Sequence, residues 1–470
     1  MPKLTDGAKE AGAGLSLRTK LGFGIGDLGG NLFFTAMGFW SLNYLTDTAG
    51  LAAAAAGAAV MVGKIWDAVT DPMMGFISDR TKSRWGRRRP YFLFGAFPLL
   101  LAMWWFFSAP PFKSTLGGAV WAAIALCALN TAYTVVNIPY GALTPELTKD
   151  YHERTSLNGF RFGFAVVGTI LGAAAVQPIV GLFGGDKRAG FSAVGLVMGA
   201  VMASTILVTF LSVREPANAS EEAPTERFFP TFLAVFKNRP YVILLAVYAC
   251  NLTGITFVQG ILVYYFKYVY GAESMTTLAM ILLLVTAMAC VPLSVLAAKR
   301  FGKKRTYQFA LLVIAVACMA IFFLGHRLGP NFTLAVMVFA GVGIGFGYVP
   351  PFAMLPDAIE LDAARTGKRK EGAFYGMWTF TSKLGVSLAT VLSGLILGIA
   401  GYVPDAAQGA GSILAIRLLL GPIPAAVLLL GILVVERYPI DEAAYAAIME
   451  EERNRAEAGR AEAGSGGATP

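Results

Sequence analysis

Lys64, Asp67 and Asp71 are the three charges inside an otherwise apolar stretch running from Leu51 to Ser78. Positions 67 and 71 are four residues apart, so on a helix both carboxylates project from one face, with Lys64 a turn earlier on nearly the same face. A charge at the centre of a hydrocarbon layer costs at least ~2.5 to 3.5 kcal/mol, so charges that persist there mark an ion or solute path. Two carboxylates beside hydroxyl groups suit a hard monovalent cation or a shared proton, because the arriving positive charge relieves their mutual repulsion. An internal ion pair of Lys64 with either aspartate, serving only to lock helices together, is the other reading of this spacing. Lys383 is the sole charge of a further apolar stretch, within Phe380-Thr-Ser-Lys-Leu-Gly385. A lone lysine needs an anionic partner, and Asp67 and Asp71 are the natural ones; its ammonium would then hold the carboxylates until a cation displaces it.

Asn31, Thr134, Asn137, Arg161, Tyr348, Trp378 and Thr379 are polar or aromatic residues in apolar stretches. Bidentate polar groups with an aromatic face are what a polyol needs for binding. Helix-to-helix hydrogen bonding explains any single one of them equally well. Asp27 and Lys64 complete the set that could meet a polar solute.

The composition says what must position these groups. Of 470 residues, 56% are hydrophobic and 14% charged, with a mean hydropathy of +0.61; soluble domains carry about 25% charged residues. Charge-free runs such as Leu28–Thr46, Ser114–Pro145 and Leu328–Pro356 each reach the ~20 helical residues that cross a bilayer. With the segments 51–79, 372–400 and 410–435, which hold a few interior charges, there are twelve candidate spans. Their length and lack of strict alternation exclude an outer-membrane barrel. The expected fold class is an all-α polytopic membrane protein.

Lys and Arg are retained on the cytoplasmic side of short loops. Both termini and the loops on their side hold 29 of the 38 basic residues, so both termini are expected to be cytoplasmic in a plasma (inner) membrane. The net charge of +9 follows from this topology and is not read as nucleic-acid binding. No cleaved signal peptide is expected, because the first apolar stretch is a full span. Cys127, Cys250, Cys290 and Cys318 fall in apolar runs without CxxC spacing and read as packed thiols. With His152 and His326 as the only histidines, neither a metal site nor a histidine-based triad is expected. No GxxxxGK[ST] motif supports ATP hydrolysis. Gly24-Ile-Gly-Asp-Leu-Gly29 opens a membrane helix with no strand before it, so it reads as helix packing and not as a dinucleotide site.

Two echoes divide the chain. Pro139-Tyr-Gly-Ala-Leu-Thr-Pro-Glu146 matches Pro350-Pro-Phe-Ala-Met-Leu-Pro-Asp357, and Gly86-Arg-Arg-Arg-Pro-Tyr91 matches Gly302-Lys-Lys-Arg-Thr-Tyr307, at offsets of 211 and 216. Two pseudo-symmetric six-helix halves follow. The expected layout is a cytoplasmic N-terminus (1–20), a first half (21–213), a cytoplasmic linker (214–238), a second half (239–436) and a cytoplasmic tail (437–470), with a helix over 441–460. Arg84, Arg87, Arg88 and Arg89 read as a cytoplasmic gate and topology anchor, pairing with Glu146 or Asp357 across the closed interface.

Trp66-Asp-Ala-Val-Thr-Asp-Pro-Met-Met-Gly75, continuing to Asp79-Arg-Thr-Lys-Ser-Arg-Trp-Gly-Arg-Arg-Arg-Pro90, resembles the span-2 signature of the glycoside-pentoside-hexuronide:cation symporters, the melibiose-permease group of the major facilitator superfamily. Asn137-Ile-Pro-Tyr-Gly-Ala-Leu-Thr-Pro145, Glu153-Arg-Thr155 and Lys383 resemble further landmarks of that family. The resemblance implies that Asp67 and Asp71 are the paired cation-site carboxylates, Thr134 a hydroxyl of that site and Lys383 the lysine near it. It also implies that Arg161 belongs to the sugar pocket. Where sugar-binding melibiose permeases carry aspartates in helices 1 and 4, this chain has Asn31 and Asn137, and the helix-4 tryptophan position reads Gly141.

Together these features point to a secondary transporter: symport of a small solute, a sugar or glycoside, coupled to sodium or a proton, with no cofactor. Its partners are that solute and membrane lipids, with oligomeric order open. A carrier of non-sugar cargo such as a lipid or drug, or a non-transporting membrane sensor, are the alternatives.

Overall fold

Lipid offers backbone N–H and C=O groups no partner, so apolar spans satisfy them internally as helices. The structure, a computed structural model, describes residues 15–111, 114–148, 151–215, 235–366 and 371–440, and every regular element among the described residues is helical. Twelve helical passes follow in order. Six are α1 (Gly26–Asn43), α2 (Ala53–Arg80), α3 (Arg89–Phe106), α4 (Thr115–Leu147), α5 (Tyr151–Ala174) and α6 (Lys187–Ser212). The other six are α7 (Arg239–Tyr264), α8 (Met275–Phe301), α9 (Lys303–Ala320), α10 (Pro330–Thr366), α11 (Glu371–Ile399) and α12 (Ala410–Glu436), the last interrupted at Gly421. Ten are long and apolar enough to cross a membrane; the two others, α1 and α3, have 18 residues each. The helix Leu17–Gly24 precedes α1, and a π-helical turn over Tyr44–Thr48 follows it.

Polar residues fix where several helices begin by accepting from otherwise orphaned backbone donors. Ser114 Oγ accepts from the Gly117 N–H at 3.1 Å, the Asp186 carboxylate from Ala189 at 3.0 Å, and Asn238 Oδ1 from Tyr241 at 3.1 Å. Inside α2, Pro72 has no N–H, so the ladder lacks its rung to the Ala68 carbonyl.

Contacts divide the chain into two units, Met1–Ala223 with Tyr402–Ala406, and Pro224–Gly401 with Ala407–Pro470. The division falls within the stretch read as linker, of which 216–234 lie outside the described residues, as does the helix expected over 441–460. In the first unit α1 and α5 cross at backbone distance: a Cβ on Gly168 would lie 2.1 Å from the Leu28 carbonyl oxygen, and one on Gly172 2.5 Å from that of Leu32. Only small residues permit such a crossing.

The sequence echoes have the same local structure in each unit. Gly86 (φ +106°) and Gly302 (φ +86°) each turn the chain through the left-handed region and lead into α3 and α9. A base just beyond each glycine meets the acid late in the helix two passes on: Arg88 with Glu146 at 2.7 Å, Lys303 with Asp357 at 2.6 Å. At the other end of the first unit, buried Asp47 accepts from Thr46 Oγ1 at 2.9 Å and from the Tyr402 hydroxyl. Asp405, itself at φ +51°, pairs with Lys187 at 2.8 Å.

Candidate functional site

The spacing of Asp67 and Asp71 on α2 puts both carboxylates against α4, where Thr134 stands between them. Thr134 Oγ1 lies 3.0 Å from Asp67 Oδ1 and 2.8 Å from Asp71 Oδ1. A hydroxyl has one proton, so it serves one carboxylate at a time. Asp67 is 4% exposed and Asp71 half-buried, and Thr134 is 2% exposed. The result is a buried cluster of anionic and hydroxyl oxygens, next to the position where Pro72 frees the Ala68 carbonyl from its helical donor. Among the described residues no three His, Cys, Asp or Glu side chains gather as a metal site.

Lys64, one turn before Asp67, is half-buried, with its ammonium 6.0 Å from the Phe33 ring centre and 5.9 Å from that of Phe34. Tyr133 stacks on Phe33 at 4.2 Å. Asn137, a turn beyond Thr134, borders a cavity of about 20 Å³ with Gly30, Tyr133 and Tyr140. Asn31 donates its Nδ2 to the Asp27 carbonyl at 2.9 Å and so stays on its own helix.

Asp27 and Arg161, each named separately from the sequence as a group that could meet solute, hold one another. Arg161 Nε donates to Asp27 Oδ2 at 2.5 Å and Nη2 to Oδ1 at 3.2 Å, a two-pronged pair. Tyr140 donates to the same carboxylate at 2.8 Å, and Arg161 Nη1 donates to Thr144 Oγ1 at 2.9 Å. The close crossing at Gly168 and Gly172 brings these charges, 134 positions apart, within reach. Tyr140 and Thr144 were not singled out by sequence reasoning.

In the second unit the structure brings two named residues together through two that were missed. Trp378 is buried and stacks on Tyr248 at 3.9 Å, while Phe352 lies 6.0 Å from Trp378 and 5.7 Å from Tyr348. Thr379, exposed, donates to the Tyr375 carbonyl of its own helix at 3.1 Å. Lys383 is half-buried on α11, with its carbonyl accepting from Ser387 Oγ at 2.9 Å.

The basic loop makes the expected pairing with Glu146, and makes it within the first unit. Arg87 Nη2 reaches Glu146 at 2.5 Å, and Arg88 bonds both Glu146 (2.7 Å) and Asp79 (3.0 Å), all within the first unit. Asp357 meets Lys303 within the second. The acids late in α4 and α10 lie beside the loops of their own units, which is why each finds a local base. Arg84 does not join Glu146; its guanidinium stacks on Trp85 at 4.2 Å. Arg89 donates from Nη2 to the Phe210 carbonyl at 2.7 Å.

Sequence reasoning also missed Glu215. Its carboxylate accepts from the backbone N–H groups of Arg87, Arg88 and Arg89 at 2.6, 2.7 and 2.7 Å, across the start of α3 where the helix dipole favours an anion. A Cβ on Gly86 would lie 2.6 Å from that carboxylate. Replacing Glu215 by Ala should therefore lower stability by about 1–2 kcal/mol, the usual cost of removing a helix cap, with Glu215→Gln in between. Thermal unfolding in detergent reads this, and an unchanged midpoint would mean that water replaces the carboxylate at no loss.

Two six-helix units with charges buried in apolar helices define a polytopic membrane carrier. The model of the MFS/sugar transport protein family matches residues 22–442, and the chain belongs to that family. It is 31% identical to the uncharacterized symporter YnaJ of Bacillus subtilis, over 94% of this chain and 96% of the relative. It is 27% identical to the glucuronide carrier protein homolog of Escherichia coli, over 94% and 96%. The crystal structure of the nucleoside transporter NupG shares the fold, with a TM-score of 0.63 at 14% identity, over 90% of this chain and all of that one. The chain is an integral membrane transporter of small solutes and not an enzyme.

Proposed function

We propose that this transporter couples the inward movement of a monovalent cation, sodium or a proton, to uptake of a sugar or glycoside by alternating access. The observation that carries the coupling is the Thr134 hydroxyl set between the Asp67 and Asp71 carboxylates inside an apolar helix pair. One positive charge moving down 100 mV supplies about 2.3 kcal/mol, roughly a fiftyfold concentration ratio, without ATP. Asp67, Asp71 and Thr134 bind the ion, with Lys383 the lysine whose ammonium competes for it. Asn31, Asn137 and Lys64 from the first unit and Tyr348, Trp378 and Thr379 from the second supply solute contacts, and the Asp27 to Arg161 pair secures the crossing of α1 and α5. An acidic sugar suits the Lys64 ammonium, 6.0 and 5.9 Å from the Phe33 and Phe34 ring centres, and a relative's name as a glucuronide carrier homolog supports that class. The basic loops support a plasma (inner) membrane placement with both termini cytoplasmic.

Purified protein in liposomes, offered a glucuronide and neutral glycosides under an imposed sodium or pH gradient, tests the reading. Accumulation above equilibrium under one gradient, lost when an ionophore collapses it, is the expected result; uptake that only equilibrates under both overturns coupling. Thr134→Ala should raise the cation concentration for half-maximal uptake about tenfold, the value of one hydrogen-bonding oxygen.

A further inference from the structure

A groove of about 970 Å³ runs along the outside of α3 and α4, and nothing in the transport reading uses it. Its floor is made of small residues, among them Gly95, Ala102, Ala128 and Ala132, and its walls of Phe94 and Trp105. Phe94 is 63% exposed and Trp105 40%, so the groove opens outward along its length. At about 100° per residue, the groove positions of α4 (128, 131, 132 and 135) lie on the face opposite Asn137. The groove therefore looks away from the side of α4 that carries the candidate solute contact. From Tyr91 at one end to Trp105 at the other it covers about 21 Å at 1.5 Å per residue, more than half of a ~30 Å hydrocarbon core.

One end is strongly basic. Thr81 and Tyr91, joined by a hydroxyl hydrogen bond, form that mouth. Lys82 and Arg84 follow Thr81 in sequence and are exposed, while the exposed Arg80 lays its guanidinium on the Phe76 ring at 3.4 Å. Arg84 stacks on Trp85, whose ring packs edge-on against the groove wall at Phe94 at 5.8 Å, so its guanidinium stands at the rim. Among the described residues no carboxylate pairs with these three cations; the nearby acid Asp79 is taken by Arg88. The other end is apolar, closed by Trp105, which meets Trp121 edge-on at 6.4 Å. One cationic mouth leading into one long apolar trough matches an amphiphile with one anionic head and a straight tail.

We propose that the groove between α3 and α4 is a binding site for an anionic phospholipid of the leaflet on the basic side, its acyl chain along Gly95, Ala102 and Ala132 and its phosphate between Lys82 and Arg84. Guanidinium and ammonium groups at the rim pair with phosphodiester oxygens, while Phe94, Trp104 and Trp105 cover the chain. Arg84 thereby finds a role outside the Glu146 cluster. The site is independent of what the transporter carries.

Delipidated full-length protein in detergent, given equimolar phosphatidylglycerol and phosphatidylcholine with identical acyl chains, is read by native mass spectrometry. Phosphatidylglycerol should be retained at least tenfold over phosphatidylcholine. The double variant Lys82→Glu with Arg84→Glu should bring the ratio to parity, and Lys82→Arg with Arg84→Lys should keep it. Ala132→Trp, which fills the floor, should reduce retention of both lipids. Excess glycerophosphate, a head without chains, should displace neither. No preference in the wild type, a preference that survives charge reversal, unchanged retention in Ala132→Trp, or displacement by glycerophosphate would each overturn the site. Circular dichroism checks that each variant is folded. Should one not fold, the wild type alone decides: brominated-chain phosphatidylglycerol must quench tryptophan fluorescence at a lower bilayer mole fraction than its phosphatidylcholine counterpart, and equal quenching refutes the proposal.

Discussion

Asp71→Asn, and separately Asp67→Asn, should abolish uphill accumulation driven by the cation gradient, cutting it at least a hundredfold, while the protein stays in the membrane. A hundredfold corresponds to about 2.8 kcal/mol, close to the ~2.5 to 3.5 kcal/mol that a charge costs at mid-membrane. A dehydrated cation recovers that cost from two anionic oxygen pairs and cannot recover it from one. The size of the stability change separates this role from a structural one. Asp67 and Asp71 both lie within 3.0 Å of one hydroxyl, so each carboxylate raises the cost of the other's charge. Neutralising either relieves that mutual cost and should leave the thermal midpoint close to the wild-type value. A large loss of midpoint together with loss of transport would instead mark the pair as structural.

The second large effect concerns Arg161. Its removal leaves the Asp27 carboxylate, 17% exposed, with Tyr140 as its side-chain donor among the bonds described above. Breaking a fully buried pair from one side costs about 3–5 kcal/mol; this pair is half-buried and Tyr140 still donates to Asp27, so a smaller loss of about 1–3 kcal/mol is expected. Arg161→Gln should therefore lower the thermal midpoint. Asp27→Asn with Arg161→Gln, which removes both charges and keeps hydrogen-bonding groups, should recover most of the loss. Equal midpoints for the single and double variants would show that the interaction between the two charges contributes little. Transport by the double variant then reports what the charges do for solute.

The spans, the duplicated halves and the α2 carboxylates were legible because their signals are local: charge-free runs of the right length, two echoes at nearly one offset, and two acids four residues apart in an apolar run. Thr134 stood out in the sequence only as a hydroxyl in an apolar run; its place beside the carboxylates came from the resemblance, since a threonine in a helix carries no spacing signal of its own. What the sequence concealed were partners brought together from a distance. Asp27 and Arg161 are 134 positions apart, and only the crossing at Gly168 and Gly172 makes them neighbours. Two lone opposite charges in neighbouring spans were the available hint, because neither could stay unpaired there. Glu215 gave less sign of itself, as one acid in a polar stretch; its donors are backbone N–H groups, which no residue type advertises. The gate expectation set Arg87 and Arg88 beside Glu146, where they are found, within one half beyond the turn at Gly86; Asp357 is instead taken by Lys303 beyond the matching turn at Gly302.

Pro72 gives the paired acids a further property. A helix missing one internal bond is more pliable at that point, and in α2 that point is the residue directly after Asp71. The segments before and after it, Ala53 to Asp71 and Pro72 to Arg80, can thus tilt about the same few residues that hold the charges. Charge balance and backbone curvature are set at one joint, so whatever changes the first is felt in the second without any long relay.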